Sequence, residues 1–200
     1  MVLTSSTMLQ LGEPLPLAAI QAAQQSGQLE QASGRPLDLQ GLAGRPVLVM
    51  FLCAHCPFVK HIEPELSRLE HDLASSDLAW LGISSNSTLT HPQDGPEGLR
   101  QQAGRCGWDF PYMHDRDQSV AQAFRAACTP DLFLFNPQHQ LAYRGQLDAS
   151  RPGNNRNPDG LDLRHAVAAV LSGLAAPEPQ HPSIGCNIKW HPGREPAWAR

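Results

Sequence analysis

Apolar residues along the chain fall into short blocks of distinct period. The run "VLVMFL", residues 47–52, is continuously apolar and of strand length. Continuous rather than alternating apolarity predicts a strand buried on both faces. Beyond it, Phe58, Ile62, Leu66, Leu69 and Leu73 recur every three or four residues, the stripe of an amphipathic helix. Pro57 suits the first turn of that helix, where its missing N–H is not needed. Pro64 lies further in and predicts a kink. "LAWLGISS", 78–85, predicts a second buried strand, and a shorter helix begins near Pro96. A further helix is predicted over 117–127. Strands are expected at 131–135 and 141–145, joined by the turn "NPQHQ", and a last helix at 159–174. Residues 1–46 are mixed in pattern and read as a short hairpin or loop leading into the core. Strand–helix alternation followed by a hairpin predicts an α/β fold: a mixed central sheet with helices on both faces.

The end of the chain breaks this rhythm. From residue 177 to 200 it carries five prolines, which predict an extended arm beyond a domain spanning 1–176. Yet Ile184, Ile188, Trp190 and Trp198 lie in the same stretch, and a solvated tail has little use for them. The arm is therefore expected to dock on the domain.

Composition narrows the function. Apolar residues are 41% and charged residues 17% of the 200, which suits a packed core rather than disorder. A net charge of −4 offers no basic footprint, so no nucleic-acid partner is expected. Neither a signal-like start nor an apolar run long enough to span a bilayer is visible, so no membrane partner is expected and the protein is read as cytoplasmic. Five cysteines in such a chain are seldom a disulfide framework; a close pair is more often catalytic or metal-binding.

That close pair is Cys53 and Cys56 in "FLCAHCPFVKH", at the junction of the first buried strand and its helix. Haem attachment would need histidine where Pro57 stands. A structural zinc site usually draws on a second pair of ligands, and Cys106, Cys128 and Cys186 are isolated. A metal module of Cys53, Cys56 and His55 or His61 stays as an alternative, as do two inert core thiols. The redox reading has its own mechanism, because a helix N-terminus stabilises a thiolate and lowers its pKa. Cys53 is expected to be the exposed, attacking sulfur and Cys56, one turn on, the buried resolving one. His55 would add positive charge near Cys53, or simply face solvent. No bound cofactor or metal is needed. "ACTPDLFLF" adds Thr129-Pro130 just before a buried strand, where a cis bond is common, although a plain trans loop proline is the alternative.

"CAHC" after one buried strand and "TPD" before another resembles the thioredoxin fold. The motifs "CAHCPFVKH", "ISSN", "FPY", "ACTPDLFLF", "YRGQLDASRPGN" and "PSIGCNIKW", from about residue 37 to 195, are similar to one branch of it. That branch is grouped with peroxiredoxins in the alkyl hydroperoxide reductase/thiol-specific antioxidant (AhpC/TSA) superfamily. The resemblance implies that Cys53 and Cys56 form a redox-active disulfide and that Thr129 and Pro130 face it and hold substrate backbone, leaving 1–36 as an N-terminal extension. It implies thiol–disulfide oxidoreduction on a protein or small-molecule disulfide, with an unidentified reductant. The related alternative is a thiol peroxidase using Cys56. Peroxiredoxins keep proline and threonine seven and three residues before that cysteine, where this chain has Val49 and Cys53. Cys128 and Cys186 are candidates for auxiliary resolving thiols, or small buried residues; Cys106 is read as structural.

Overall fold

The computed structural model describes residues 3–199. In order along the chain stand β1 (Leu3–Ser5), α1 (Leu17–Gln25), β2 (Leu29–Ser33), β3 (Val47–Phe51), α2 (Pro57–Asp72), β4 (Ala79–Ser84) and α3 (Pro96–Cys106). There follow β5 (Tyr112–Asp115), α4 (Ser119–Ala123), β6 (Cys128–Thr129), β7 (Asp131–Phe135), β8 (Leu141–Gly145), α5 (Leu161–Leu171) and β9 (Ile184–Asn187). Six strands form the main sheet in the order β2-β5-β4-β3-β7-β8. β3, β4 and β5 run parallel, while β2, β7 and β8 join antiparallel, so the sheet is mixed.

The continuous apolarity of β3 is explained by its place in this sheet. Successive side chains leave a strand on opposite faces. Leu48 and Met50 join the cluster formed with Ile62, Leu66 and Leu69 of α2, Leu99 of α3, and Val167 of α5. Val47, Val49 and Phe51 join the opposite cluster, with Ile20 of α1, Val120 of α4, Phe124 and Phe133. Each fully buried side chain of this size contributes about 1.5–3 kcal/mol, so both faces of β3 hold the fold together. Among the described residues no helix is long and apolar enough to cross a membrane.

Some elements depart from the sequence pattern. Residues 1–46 hold β1, α1 and β2 rather than a loop. The helix "LAAIQAAQQ" is built largely from alanine and glutamine, which favour helix but blur the apolar stripe. β2 is an edge strand of mixed polarity. β5, not anticipated, is four residues long and buries a histidine and an aspartate. The predicted helix 117–127 shrinks to Ser119–Ala123, because Arg125 takes a left-handed φ of 48° as the chain turns toward β6. α2 runs unbroken through Pro64, which lies on its exposed side. α3 ends at Gly107, whose φ of 72° makes the left-handed C-cap that glycine adopts freely.

Beside the main sheet lies a three-stranded one, β1-β9-β6. Its central strand comes from the proline-rich segment. Cys186 pairs with Leu3 on one side and with Thr129 on the other. Ile188 and Trp190 are buried, and the Trp190 ring meets Trp198 edge-on at 5.6 Å. Ile184 is not buried as expected; it stays 38% exposed.

Candidate active site

β3 ends against the start of α2, and the link between them carries Cys53, Ala54 and His55. Cys56 is the N-cap of α2 with extended backbone, and Pro57 follows at the first helical position. Thr129-Pro130, in the cis form, faces this turn. The Cys53 Sγ lies 3.3 Å from Thr129 Oγ1, and the Cys56 Sγ lies 3.2 Å from the Thr129 carbonyl oxygen. Cys186 reaches in from β9, its Sγ 2.8 Å from that of Cys56.

All three sulfurs are inaccessible. Cys53 and Cys56 are each 0% exposed and Cys186 1%, so Cys53 is not the more exposed of the pair. β3 and β7, α2, and the β9 strand close over the turn from different sides. All five cysteines are thiols.

A buried carboxylate organises the turn. Asp94, in the loop before α3, accepts hydrogen bonds from the Ala54 and His55 backbone N–H groups at 2.9 and 3.1 Å. Its other oxygen lies 2.5 Å from His55 Nδ1 and accepts from Asn86 Nδ2 at 2.8 Å. Burial opposes the charge on Asp94, but the bonds from His55 and Asn86 hold its carboxyl below the usual range. His55 Nδ1 is also 3.8 Å from the Cys53 sulfur, and the imidazole lies against His91, tilted by 31° with centroids 4.8 Å apart. Asp94 was not singled out from the sequence. It sits in "HPQDGPEG", ahead of the helix predicted near Pro96, and no local signal marks an aspartate there as buried.

The three sulfurs of the cluster are shifted in different directions. Burial pushes Cys53 well above an ordinary thiol, and its bond to Cys56 and the negative Asp94 add to this. Cys56 is held down to about 5 by the bond from Cys53, against the cost of burial, with further support from Cys186 and the Val59 N–H. Val59 is the third residue of α2, so that contact is the capping bond of a helix N-terminus with sulfur as acceptor. Burial pushes Cys186 up to about 12, reinforced by its bond to Cys56.

The remaining candidates separate. Cys128 is buried on β6, but its hydrogen-bond partners are the carbonyls of Pro130 and Ser183, at 3.5 and 4.0 Å. His61 leaves the turn to meet Ser150 Oγ at 3.0 Å. Cys106 sits half-buried at the end of α3, where burial raises its thiol to about 11. Among the described residues, the metal-ligand donor atoms that come within 4.8 Å of one another are those of Cys53, His55 and Asp94. The ring nitrogen that would bind a metal there is the one Asp94 already engages.

A strand–turn–helix with paired cysteines, faced by a cis-proline loop and set on a mixed sheet between two helical layers, is the thioredoxin-like fold. A model of the AhpC/TSA family matches residues 19–144, more than half of the chain, and the chain belongs to that family. It is similar to the crystal structure of an uncharacterized conserved protein from Geobacillus kaustophilus, at 38% identity and a TM-score of 0.85, covering 96% of this chain and 98% of that one. A hypothetical protein from Sinorhizobium meliloti 1021 is alike at 38% identity and a TM-score of 0.84, covering 95% and 100% of the two chains. A thiol-disulfide isomerase from Corynebacterium glutamicum shares the fold at 20% identity and a TM-score of 0.55, over 74% of this chain and 92% of that one. No curated protein shows a significant match.

Proposed function

We propose that this protein is a thiol–disulfide oxidoreductase working through a reversible disulfide between Cys53 and Cys56. The observation that carries the reading is the position of both sulfurs at the N-terminus of α2, against the Thr129-Pro130 loop. The lowered Cys56 thiol supports Cys56 as the attacking thiolate, reversing the order expected from the sequence. With β9 drawn back from β6, the Cys56 sulfur is open to a substrate disulfide, attacks it and releases one substrate thiolate. Cys53 then attacks Cys56 in the mixed disulfide, frees the second substrate thiol and leaves the Cys53–Cys56 disulfide. An external dithiol returns the pair to the reduced form. Asp94 fixes the His55 imidazole beside Cys53, its Nδ1 3.8 Å from the sulfur.

Insulin reduction with dithiothreitol as donor tests this. Cys56→Ser is expected to lose activity at least 100-fold, and the double variant Cys53→Ser, Cys186→Ser to accumulate the mixed disulfide. Undiminished activity in Cys56→Ser would overturn the reading. The low Cys56 thiol also favours a second reading, reduction of peroxides at Cys56. Fast hydrogen peroxide turnover in Cys53→Ser, lost in Cys56→Ser, would place that reading first. Val49 and Cys53, standing where peroxiredoxins keep proline and threonine, weigh against it.

A further inference from the structure

β6 is two residues long, and its edge lies beside the turn that carries Cys53 and Cys56. Such an edge is where an extended peptide adds as a further strand. In this protein the chain itself fills the place. β9 pairs antiparallel with β6, Asn187 opposite Cys128 and Cys186 opposite Thr129. The approach is so close that a Cβ at Gly185 would stand 2.1 Å from the Thr129 oxygen, so only glycine permits it. The strand then presents a sulfur 2.8 Å from Cys56, closer than van der Waals contact. Backbone on the β6 edge and a cysteine at the reactive sulfur are what a substrate would bring.

Resting on the dithiol reading above, we propose that Cys186 is a third redox-active thiol and β9 a built-in substrate strand, so that the disulfide formed between Cys53 and Cys56 passes to Cys56 and Cys186. The step is an exchange without net oxidation. The Cys186 thiolate attacks Cys56 Sγ, the Cys56–Cys186 bond forms, and the Cys53–Cys56 bond breaks. The electron pair leaves on Cys53, which takes up the proton that Cys186 gave away. Timing follows from electrostatics. While Cys56 is a thiolate, its negative charge and its bond to Cys186 help hold the Cys186 proton. Once Cys56 is in a disulfide that restraint is gone, and Cys186 becomes easier to ionise at the moment its attack is possible. The product keeps the oxidising equivalent on the arm and returns Cys53 as a free thiol.

Peptide mapping tests the proposal. Trypsin, which does not cut before proline, leaves Cys53 and Cys56 together in residues 1–60 and Cys186 in residues 165–189. Only the Cys56–Cys186 disulfide, or one from Cys53 to Cys186, joins the two peptides, and fragmentation tells them apart. The protein is equilibrated in glutathione buffers of rising oxidation, trapped by alkylation and digested. Wild type and Cys53→Ser are both expected to show the Cys56–Cys186 cross-link rising at least tenfold over the reduced control. Cys186→Ser is expected to keep the Cys53–Cys56 disulfide and lose the cross-link. Absence of the cross-link from wild type, with the Cys53–Cys56 disulfide present, overturns the proposal and leaves the dithiol reading standing. A cross-link confined to Cys53→Ser overturns it as well. If neither disulfide forms in wild type, the dithiol reading falls and the proposal with it. The wild-type arm needs no substitution, so a misfolded variant does not decide the outcome.

Discussion

Asp94 and His55 meet at 2.5 Å, with the Asp94 side chain wholly buried and the His55 side chain 21% exposed. The same carboxylate takes the backbone N–H groups of Ala54 and His55, so one residue holds both the imidazole and the turn between the two cysteines.

Asp94→Asn should therefore act on stability and on the site together. Bonds to a charged group contribute about 1.5–3 kcal/mol each, and the amide keeps some of them. We expect a loss of roughly 2 kcal/mol in a denaturant melt, with a slower resolving step at Cys53. The pH signature is specific. A carboxyl held below its unfolded value stabilises the fold above that value, about 3.9, and the contribution is lost as pH falls through the folded value. The gap between wild type and Asp94→Asn should narrow below about pH 4. A gap independent of pH would argue against this role.

Asp115 predicts the opposite slope. Burial raises its carboxyl to about 6, although Ser85 and the Val120 and Ala121 N–H groups favour the charged form. A raised carboxyl costs stability as pH climbs from its unfolded value near 3.9 to its folded one. Two pH units correspond to about 3 kcal/mol. Asp115→Asn should thus gain on wild type as pH goes from about 4 to about 6.5, read as a shrinking difference in Tm. An unchanging difference sinks the assignment.

Titration of the reduced protein should reveal the charge on Cys56. Absorbance of the thiolate at short ultraviolet wavelength should rise through about pH 5 and be lost in Cys56→Ser. Cys53 and Cys186 should contribute only in strongly alkaline solution. If the low step survives in Cys56→Ser, the thiolate lies elsewhere.

Gly185→Ala should prise β9 from β6, because the added methyl meets the Thr129 carbonyl at 2.1 Å. Overpacking of this kind costs about 1–3 kcal/mol. Native-state proteolysis should then cut residues 177–200 several times faster than in wild type. Unaltered cleavage and melting would mean that the strand pairing bears no weight.

Much of this frame was legible along the chain, for reasons that are local. The run at 47–52, the stripe from Phe58 to Leu73 and the hairpin strands at 131–135 and 141–145 each carry their own period, and each forms the expected element. The cysteine pair and Thr129-Pro130 stand at element junctions that those periods mark. What escaped is non-local. Nothing in the local pattern marks Asp94, Asp115 and Asp131 as buried, yet each is 0% exposed; Asp94 meets Ala54 and His55 across about 40 residues of sequence. The exposure expected of Cys53 failed for the same reason: both sulfur-bearing residues are 0% exposed. A helix N-terminus can be inferred from sequence, but the exposure of Cys53 and the charge on Cys56 depend on how Cys186, Thr129 and Asp94 are placed around them.

The strand order β1-β9-β6 has a consequence in time. It joins Leu3 to Cys186 and Cys186 to Thr129, so the small sheet closes only after residues 184–187 have left the ribosome. Cys56 and Cys186 are 130 residues apart. At about 5–20 residues per second, that separation corresponds to on the order of ten seconds of synthesis. Through that interval the nascent chain carries Cys53 and Cys56 without the strand that later covers them.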